Sequence, residues 1–375
     1  MGHKKNKKCA IISFNPVELY PPLMNLLRDN RWNSGKTYLF TTRENKMGRK
    51  EFVAPGIKIT RTKDHWSVSA MINLWDKLTF FFTTFFHLLF FHPDVIFYIE
   101  STSALPVWLY AKLNRKCRIF IHYYEYTSPK QFADSRWFSF CHKFEKYLYK
   151  RCEWLSQCNS KRLEFFLTDT GCEPSKGRVF PNYPPKSWTG RGRDLKKPFS
   201  KPLKLILVGS LSRENMYIEN LVNFLSKHPD KFFLDIYSYN CSSDCQNFLK
   251  HIDAANIRFF PQGVEYDDLP ELLSQYDVGL LIYRARGLNV QFCEPNKYYE
   301  YLCCGLDVWF PPSMKLLRTM VQENTSPRTI MIDMENLDGE LEKLYSLYKR
   351  PECVAINKYA ENAADKLFEQ LKIKG

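Results

Sequence analysis

The sequence predicts an α/β protein built from two doubly wound domains, and three observations support this. Short apolar runs alternate with helical segments along the chain, a pattern typical of parallel sheets covered by helices on both faces. The 375 residues exceed what one hydrophobic core usually organises. The alternation restarts at residue 203, after a segment at 183–202 that is rich in proline, glycine and basic residues and is typical of a linker.

In the first half, four apolar runs predict strands at 8–14, 36–42, 94–100 and 117–124. Between them the sequence predicts helices at 16–29, 70–91, 103–114 and 134–151. In the second half, strands are predicted at 203–209, 231–238, 257–261, 277–283, 306–310 and 329–332, again with helices between them.

We therefore place an N-terminal domain at 1–186 and a C-terminal domain at 187–354. The tail at 351–375 has an amphipathic helical pattern and is followed by no strand. Its helix, placed at 355–375, either caps the second domain or packs back onto the first.

The formal net charge of +14 is concentrated in the first half. Residues 1–200 contain 34 Lys and Arg against 16 Asp and Glu, whereas residues 201–375 contain 20 against 24. Such asymmetry predicts a polyanionic partner, either nucleic acid, an anionic membrane surface or a phosphate-bearing substrate. A solvated basic surface is the alternative. No nucleic acid is expected, because the charge is dispersed and no known nucleic-acid-binding module is present.

The twelve cysteines show no zinc-site spacing, and no other metal motif is present. The N-terminal sequence MGHKKNKKCAIISF places a basic tail directly before an apolar strand, without the pattern of a signal peptide. We therefore expect reduced thiols and a cytoplasmic location.

The segment 78–92, LTFFFTTFFHLLFFH, carries no Asp, Glu, Lys or Arg. Lys77 and Asp94 flank it, and the distance between them is shorter than the roughly 20 residues that a membrane-spanning helix needs. A helix packed in the core is the preferred interpretation. A helix lying on a lipid surface and a spanning helix are the alternatives.

The stretch 293–310, CEPNKYYEYLCCGLDVWF, follows a predicted strand and a loop. Pro295 suits the first position of a helix, and Gly305 suits the left-handed residue just past its end. The first turn of this helix then lies outside the carboxyl ends of the strands, where open α/β sheets bind ligands. Its N–H groups and positive dipole end favour a phosphate there.

Lys297 and Glu300 are three residues apart and share one face of this helix. A lysine adds positive charge beside a phosphate, and a carboxylate one turn later can accept hydrogen bonds from both hydroxyls of a ribose. Together they predict a site for a nucleoside diphosphate and its sugar. The alternative is an exposed Lys–Glu pair on an ordinary crossover helix.

The stretch resembles the C-terminal signature of GT-B glycosyltransferases, especially the GT4-like enzymes of bacterial surface polysaccharide assembly. The matching residues are Pro295, Asn296, Lys297, Glu300, Tyr301, Gly305 and Val308, with Asp307 where the family usually has proline. Three segments match in the right order: FPNYP at 180–184, LVGSLSREN at 207–215 and LPELLSQYDVGLLIY at 269–283. The resemblance implies two Rossmann-like domains that face each other across a cleft.

The resemblance also implies that the second domain binds the donor, with Glu300 holding the ribose. The donor-binding residues implied are Gly209, Ser210, Arg213, Tyr283, Asn289, Glu294, Pro295, Asn296, Lys297 and Glu300. Many retaining relatives have two glutamates, but Phe292 stands at the first position here and Glu294 follows two residues later. The phosphate loop has Ser210 and Asn215 where basic residues are usual, so Arg213, Arg284 and Arg286 are the available cations.

The segment 121–129, IHYYEYTSP, follows a predicted strand of the first domain, and relatives use this region to contact the sugar and acceptor. Glu125 is the first candidate for a catalytic base and His122 the second. In a retaining enzyme Glu125 would instead orient the acceptor, and in the simplest alternative both residues only hydrogen-bond the loop. Ser13 and Asn15, in the first strand-to-helix loop, are candidates for acceptor contact.

These observations predict a glycosyltransferase that moves a sugar from a UDP- or GDP-linked donor to a saccharide. The resemblance implies a lipid-linked acceptor in capsule, exopolysaccharide or lipopolysaccharide assembly, peripheral attachment to the inner face of the cell membrane, and no cofactor or metal ion. The alternatives are a non-catalytic basic protein with a degenerate nucleotide site, binding membrane or nucleic acid, and a nucleotide-sugar epimerase of the same fold.

Overall fold

The computed structural model describes residues 7–43, 48–65, 69–192, 194, 198–346, 352–353 and 358–371. The chain divides into two compact units, which are residues 1–181 with 360–375 and residues 182–359. The division falls five residues before the predicted boundary. The basic tail at 1–6, parts of the linker and both ends of the predicted C-terminal helix lie outside the described residues.

The first unit contains a seven-stranded parallel sheet with strand order β3-β2-β1-β4-β5-β6-β7. Its strands are β1 (Lys8–Ser13), β2 (Lys36–Thr42), β3 (Ile57–Thr62), β4 (Val95–Ile99), β5 (Arg118–Tyr123), β6 (Trp154–Gln157) and β7 (Gly177–Val179). All four predicted strands are present. The sequence analysis missed β3, β6 and β7, because they are short or carry charged and polar residues that interrupt an apolar run.

The helices of the first unit cover both faces of this sheet. They are α1 (Pro21–Leu27), α2 (Ala70–Phe91), α3 (Ala104–Leu113), α4 (Pro129–Asp134), α5 (Arg136–Arg151) and α6 (Ser160–Thr170). The chain enters the sheet at β1, and β2 and β4 flank that strand on opposite sides. The strand order therefore reverses between β1 and β4, which is where such sheets bind ligands.

The second unit contains a six-stranded parallel sheet with strand order β10-β9-β8-β11-β12-β14. Its strands are β8 (Leu203–Val208), β9 (Phe232–Tyr237), β10 (Ile257–Phe260), β11 (Val278–Leu280), β12 (Asp307–Phe310) and β14 (Thr329–Met331), and β13 (Thr325–Ser326) pairs with β15 (Glu352–Cys353). All six predicted strands are confirmed. Here the order reverses between β8 and β11.

The described helices of the second unit are α7 (Ile218–Leu225), α8 (Ser243–Lys250), α9 (Leu269–Leu273), α10 (Leu288–Gln291), α11 (Asn296–Cys303) and α12 (Leu337–Ser346). Two groups of buried side chains, one on each face of the sheet, form the core. The strands are apolar along their length because both of their faces are covered.

The last helix, α13 (Ala360–Leu371), packs against the first unit and begins five residues later than predicted. Phe368 packs edge-on against Trp32 with ring centroids 4.8 Å apart. Arg31 lies 4.1 Å from the centroid of the Phe368 ring and forms a 2.8 Å ion pair with Asp365. Of the two predicted placements, these contacts correspond to packing on the first domain.

Helix α2 is only half buried, so the preferred expectation of a core helix was only partly right. Phe80 and Leu88 are buried against the sheet. The opposite side exposes large apolar side chains: Met71, Ile72, Leu74, Trp75, Leu78, Phe82, Phe86 and Phe90. Within the described part of the chain, no helix has the length and apolarity needed to cross a membrane.

Candidate functional site

The stretch predicted to bind a nucleotide forms helix α11 at the carboxyl edge of the second sheet. Pro295 caps the helix rather than occupying its first position, one residue away from the prediction. At the other end, Gly305 has a left-handed φ of 81°, as predicted. The N–H of Leu306 donates to the Tyr301 carbonyl at 3.0 Å, which satisfies one of the carbonyls that a helix leaves unpaired at its end.

Tyr301 fixes this helix to the two strands where the sheet order reverses. Its hydroxyl accepts a hydrogen bond from the N–H of Val208, the last residue of β8, at 3.2 Å. Its ring packs on Gly279 of β11 so closely that a Cβ there would lie 2.2 Å from the ring. Only glycine permits this approach, so the sequence of β11 sets how near α11 lies to the sheet.

Glu300 and Lys297 form an ion pair on α11 in which the carboxylate is buried and the ammonium is partly exposed. The Glu300 residue is 1% exposed, and its Oε2 lies 2.5 Å from the Lys297 Nζ. The pair is therefore not exposed as the alternative expected, although α11 is a crossover helix between β11 and β12. Burying a carboxylate is costly unless a positive charge and hydrogen bonds compensate it, and Lys297 supplies that charge here.

The loop after β8 leaves free space beside Gly209. Gly209 has a left-handed φ of 139°, and no atom lies within 4 Å of a Cβ built on it. The next residue, Ser210, is exposed, and its Oγ accepts a hydrogen bond from the Asn240 amide at 3.3 Å. A glycine with free space around it allows a ligand to approach the main chain closely.

The loop after β11 brings a cation against the β8 loop. The N–H of Arg284 donates to the Asn215 carbonyl at 2.9 Å, and its guanidinium lies 4.3 Å from the centroid of the Tyr217 ring. The next residue, Ala285, has a left-handed φ of 47°, a strained conformation for a residue with a side chain. Arg284 thus places positive charge beside the loop where Ser210 and Asn215 replace the usual basic residues.

Three other predicted residues near the donor site bind neighbouring side chains of the second unit. Arg213 is hydrogen-bonded to Glu219, and Arg286 forms a 3.3 Å ion pair with Glu214. Glu294 accepts a hydrogen bond from the Tyr299 hydroxyl at 2.6 Å.

The remaining predicted donor residues surround α11. The Tyr283 carbonyl accepts a hydrogen bond from Ser313 at 2.8 Å, Asn289 lies on α10, and Asn296 opens α11. The residues that converge on the switch point are thus those of the β8 loop, the β11 loop and α11.

In the first unit, His122 lies near the end of β5 and Glu125 lies two residues after that strand. Their side chains lie in different environments. The His122 ring is fully buried, its Nδ1 lies 2.9 Å from the Ser156 Oγ, and burial lowers its pKa to about 3. The side chain of Glu125 is 58% exposed and lies 3.3 Å from Arg162. This placement gives no support to His122 as a base, because the ring cannot reach solvent, whereas Glu125 can.

Sequence reasoning treated Glu100 only as the last residue of a strand, but the structure places it at the switch point of the first sheet. It follows β4 with a left-handed φ of 62°. Its carboxylate accepts hydrogen bonds from the N–H groups of Tyr124 at 2.7 Å and Glu125 at 3.2 Å. Burial, and then the nearby charge of Glu125, raise the pKa of Glu100 to about 8. An acidic residue directly after a central strand was the signal that could have identified it.

The loop after β1 contains the predicted acceptor residues Ser13 and Asn15. Ser13 is buried, and its hydroxyl donates to the Asn15 carbonyl at 2.8 Å, so it stabilises the turn. The Asn15 amide donates to the Tyr20 hydroxyl at 2.6 Å, and the Tyr20 ring stacks on Tyr124 at 5.0 Å. Asn15 therefore joins the Tyr20 and Tyr124 side chains next to Glu100, whereas Ser13 is buried in the turn. In the described residues, no three His, Cys, Asp or Glu side chains are grouped to hold a metal ion.

Comparison with known proteins gives matches only among solved structures. No protein-family model and no curated protein sequence matches the chain. The lipopolysaccharide outer core galactosyltransferase WaaB is similar over 97% of this chain and 99% of its own, with a TM-score of 0.62 and 14% identity. Sucrose-phosphate synthase from Thermosynechococcus elongatus is similar over 98% and 97%, with a TM-score of 0.64 and 13% identity.

A third structure, HepE of Anabaena in complex with UDP and glucose, is similar over 98% of this chain and all of its own, with a TM-score of 0.61 and 11% identity. Likeness at this level of identity concerns the fold, and these neighbours are GT-B glycosyltransferases. Two parallel α/β sheets, each with its order reversing beside the first strand, are present in this chain. The chain therefore has the GT-B fold.

Proposed function

We propose that the protein is a glycosyltransferase that moves a sugar from a UDP- or GDP-linked donor to a saccharide acceptor. The observation that carries the proposal is the Glu300–Lys297 pair on α11, with its buried carboxylate, beside the switch point of the second sheet. A buried carboxylate and a partly exposed ammonium at this position suit a ribose and a diphosphate, which carry the matching hydroxyls and negative charge.

The donor would be held by three elements of the second unit. Glu300 accepts hydrogen bonds from the ribose hydroxyls, and the free space beside Gly209 lets the diphosphate approach the β8 loop. Lys297, Arg284 and the positive end of the α11 dipole then balance the charge of the diphosphate. The same groups stabilise the leaving diphosphate, so the proposal includes no metal ion or cofactor.

In the reaction, an acceptor hydroxyl oxygen bonds to the anomeric carbon while the bond from that carbon to the diphosphate oxygen breaks. The hydroxyl proton must pass to a base. Glu125 remains our first candidate because it is exposed. Glu100 joins it because it is only partly shielded from solvent, unlike His122, and its raised pKa suits proton transfer near neutral pH. His122 is set aside because it is buried. In a retaining reaction, the leaving diphosphate could take this proton and the carboxylates would orient the acceptor.

The structural neighbours support the choice of donor and acceptor classes. HepE was solved with UDP and glucose, which supports a UDP-linked donor. WaaB is named as a galactosyltransferase of the lipopolysaccharide outer core, which supports a saccharide acceptor. We extend the proposal to a lipid-linked acceptor in surface polysaccharide assembly, and to peripheral attachment at a membrane, on the charge of the first half of the chain.

Thermal unfolding with UDP, GDP and their nucleosides tests the donor site. We expect UDP or GDP to raise the melting temperature, and a screen of nucleotide sugars should then find one from which the protein releases the nucleotide. No shift with any nucleotide would favour the non-catalytic alternative. Conversion of a nucleotide sugar into its epimer, without release of UDP or GDP, would favour the epimerase.

A further inference from the structure

Helix α2 carries an apolar surface that the described fold does not cover. Six of its exposed side chains recur every three or four residues and so lie on one side of the helix: Met71, Trp75, Leu78, Phe82, Phe86 and Phe90. We call this surface the aromatic face. Met71 is 81%, Trp75 69% and Phe90 85% exposed. A contiguous apolar surface of this kind marks an interaction site, whereas scattered single apolar residues do not.

Helices α2, α3 and α5, which carry and adjoin the aromatic face, expose no acidic side chain. Helix α3 packs against both α2 and α5, and the three helices, described in full, contain seven basic residues: Lys77, Lys112, Arg136, Lys143, Lys146, Lys150 and Arg151. Their two acidic residues, Asp76 and Glu145, are both buried. Asp76 binds His65 at 2.7 Å, and Glu145 accepts a hydrogen bond from Tyr123 at 2.5 Å.

The apolar surface continues from α2 onto the start of α5. The Lys77 ammonium lies 4.7 Å from the centroid of the Trp137 ring, and this contact joins the two helices. Phe140 stacks on Trp137 with ring centroids 5.8 Å apart and is 42% exposed. The exposed lysines of α5 begin one turn later, at Lys143, and form one border of the apolar surface.

We propose that the aromatic face docks on an anionic lipid bilayer, with its aromatic side chains among the upper acyl chains and the lysines of α5 on the headgroup phosphates. A helix with an apolar side and basic flanks lies in the plane of such a surface. A symmetric dimer through the same face would bring like charges of the two copies together, so the charge favours lipid over a second copy. The docking itself does not depend on the proposed reaction, although a lipid-linked acceptor would be found at such a surface.

Flotation with vesicles tests this inference. We expect the full-length protein to bind phosphatidylcholine vesicles containing about 30% phosphatidylglycerol and to bind pure phosphatidylcholine at least about tenfold less. Binding should weaken as NaCl rises from about 0.05 to 0.5 M, because salt screens charges at a surface. Equal binding to both vesicles, or binding to neither, would overturn the proposal.

Two variants separate the apolar and charged contributions. The triple variant Trp75→Ser, Phe82→Ser, Phe86→Ser and the triple variant Lys143→Gln, Lys146→Gln, Lys150→Gln should each lower the vesicle partition coefficient by about tenfold or more. The control for the first is Val53→Ser, at an apolar residue outside these helices that is more exposed than any of the three. The control for the second is Lys227→Gln, Lys250→Gln, Lys315→Gln, which removes the same charge from exposed sites of the second unit.

Both controls should bind vesicles as the wild type does, and all variants should keep the wild-type melting temperature because the changed side chains are exposed. If the serine variant binds lipid normally but converts a dimer to a monomer in sedimentation, the aromatic face contacts a second copy and the proposal fails. The UDP-induced thermal shift is measured on the same variants. It should be unchanged, so loss of lipid binding is distinguishable from a failed nucleotide site.

Discussion

The ammonium of Lys297 lies 2.5 Å from the carboxylate of Glu300, one turn later on the same helix, and that carboxylate is almost wholly shielded from solvent. The pair lies beside the strands where the sheet order reverses, and Tyr301, the next residue, ties the helix to β8. In this arrangement the carboxylate has a fixed position before any ligand arrives. Such preorganisation lowers the entropy cost of binding.

Replacing Glu300 by glutamine should weaken the binding of both UDP and uridine, because the ribose is common to both. Hydrogen bonds to a charged group contribute about 1.5–3 kcal/mol, so we expect the Kd for each to rise about 10- to 100-fold. Isothermal titration calorimetry measures this directly. Glu271→Gln, which changes an exposed glutamate of α9, should bind like the wild type. Unchanged affinity in the Glu300 variant would remove the ribose role.

Replacing Arg284 by glutamine should separate the contribution of the diphosphate to binding from that of the ribose. The guanidinium lies at the end of the β8 loop, where its Nε donates to the Met216 carbonyl at 3.1 Å, and the diphosphate is proposed to bind along this loop. We expect the Kd for UDP to rise about tenfold, since a charge-assisted hydrogen bond is lost, while uridine binds as before. Arg318→Gln, at an exposed arginine that donates to the Pro312 carbonyl, is the matched control. An equal loss for uridine and UDP would indicate general damage to the site.

The second unit was largely predictable from the sequence because its signals are local. Its strands are continuous apolar runs, and the caps and the Lys297–Glu300 spacing of α11 lie within a few residues of each other. The role of Asp307, which replaces the usual proline, was not predictable. It forms a buried 2.6 Å ion pair with Arg328, twenty-one residues later, and so joins β12 to β14.

The first unit was less predictable because its site depends on topology. Glu100 and Tyr124 are far apart in sequence and meet only because β4 and β5 are neighbours. The burial of His122 likewise depends on Phe97 and Phe180, which pack on its ring. The apolar sequence of α2 also gave no indication of which side would remain exposed.

Replacing Gly279 by alanine should disturb the nucleotide site through packing. The added Cβ would lie 2.2 Å from the Tyr301 ring, and the overpacking should lower the free energy of unfolding by about 1–3 kcal/mol. Displacement of Tyr301 should also move α11 and weaken UDP binding. Gly287→Ala is the control, because nothing lies within 4 Å of its added Cβ. Thermal melting and UDP titration of both variants check this, and equal stability of the two would contradict the close packing.

Replacing Glu100 by glutamine should change how stability depends on pH. Its pKa is raised from 4.5 to about 8 in the folded chain, so between those values the folded state holds a proton that the unfolded state has released. The free energy of unfolding therefore falls as pH rises from about 4.5 to 8, by about 1.4 kcal/mol for each unit of pKa difference. Glutamine stays neutral, so the variant should lose this slope and be more stable than the wild type at pH 8 but not at pH 4.5.

Urea unfolding from pH 4.5 to 9 measures the slope, with Glu164→Gln, an exposed glutamate of α6, as the control that should leave it unchanged. If Glu100 also takes the acceptor proton, transfer in the wild type should rise with pH up to about 8, because only the ionised carboxylate is a base. Loss of a general base costs about 10²–10⁴-fold in rate, and the glutamine variant should lose both that rate and its pH dependence. If the variant loses the stability slope but transfers sugar at the wild-type rate, Glu100 has a structural role only. Glu125 is then the remaining candidate for the base.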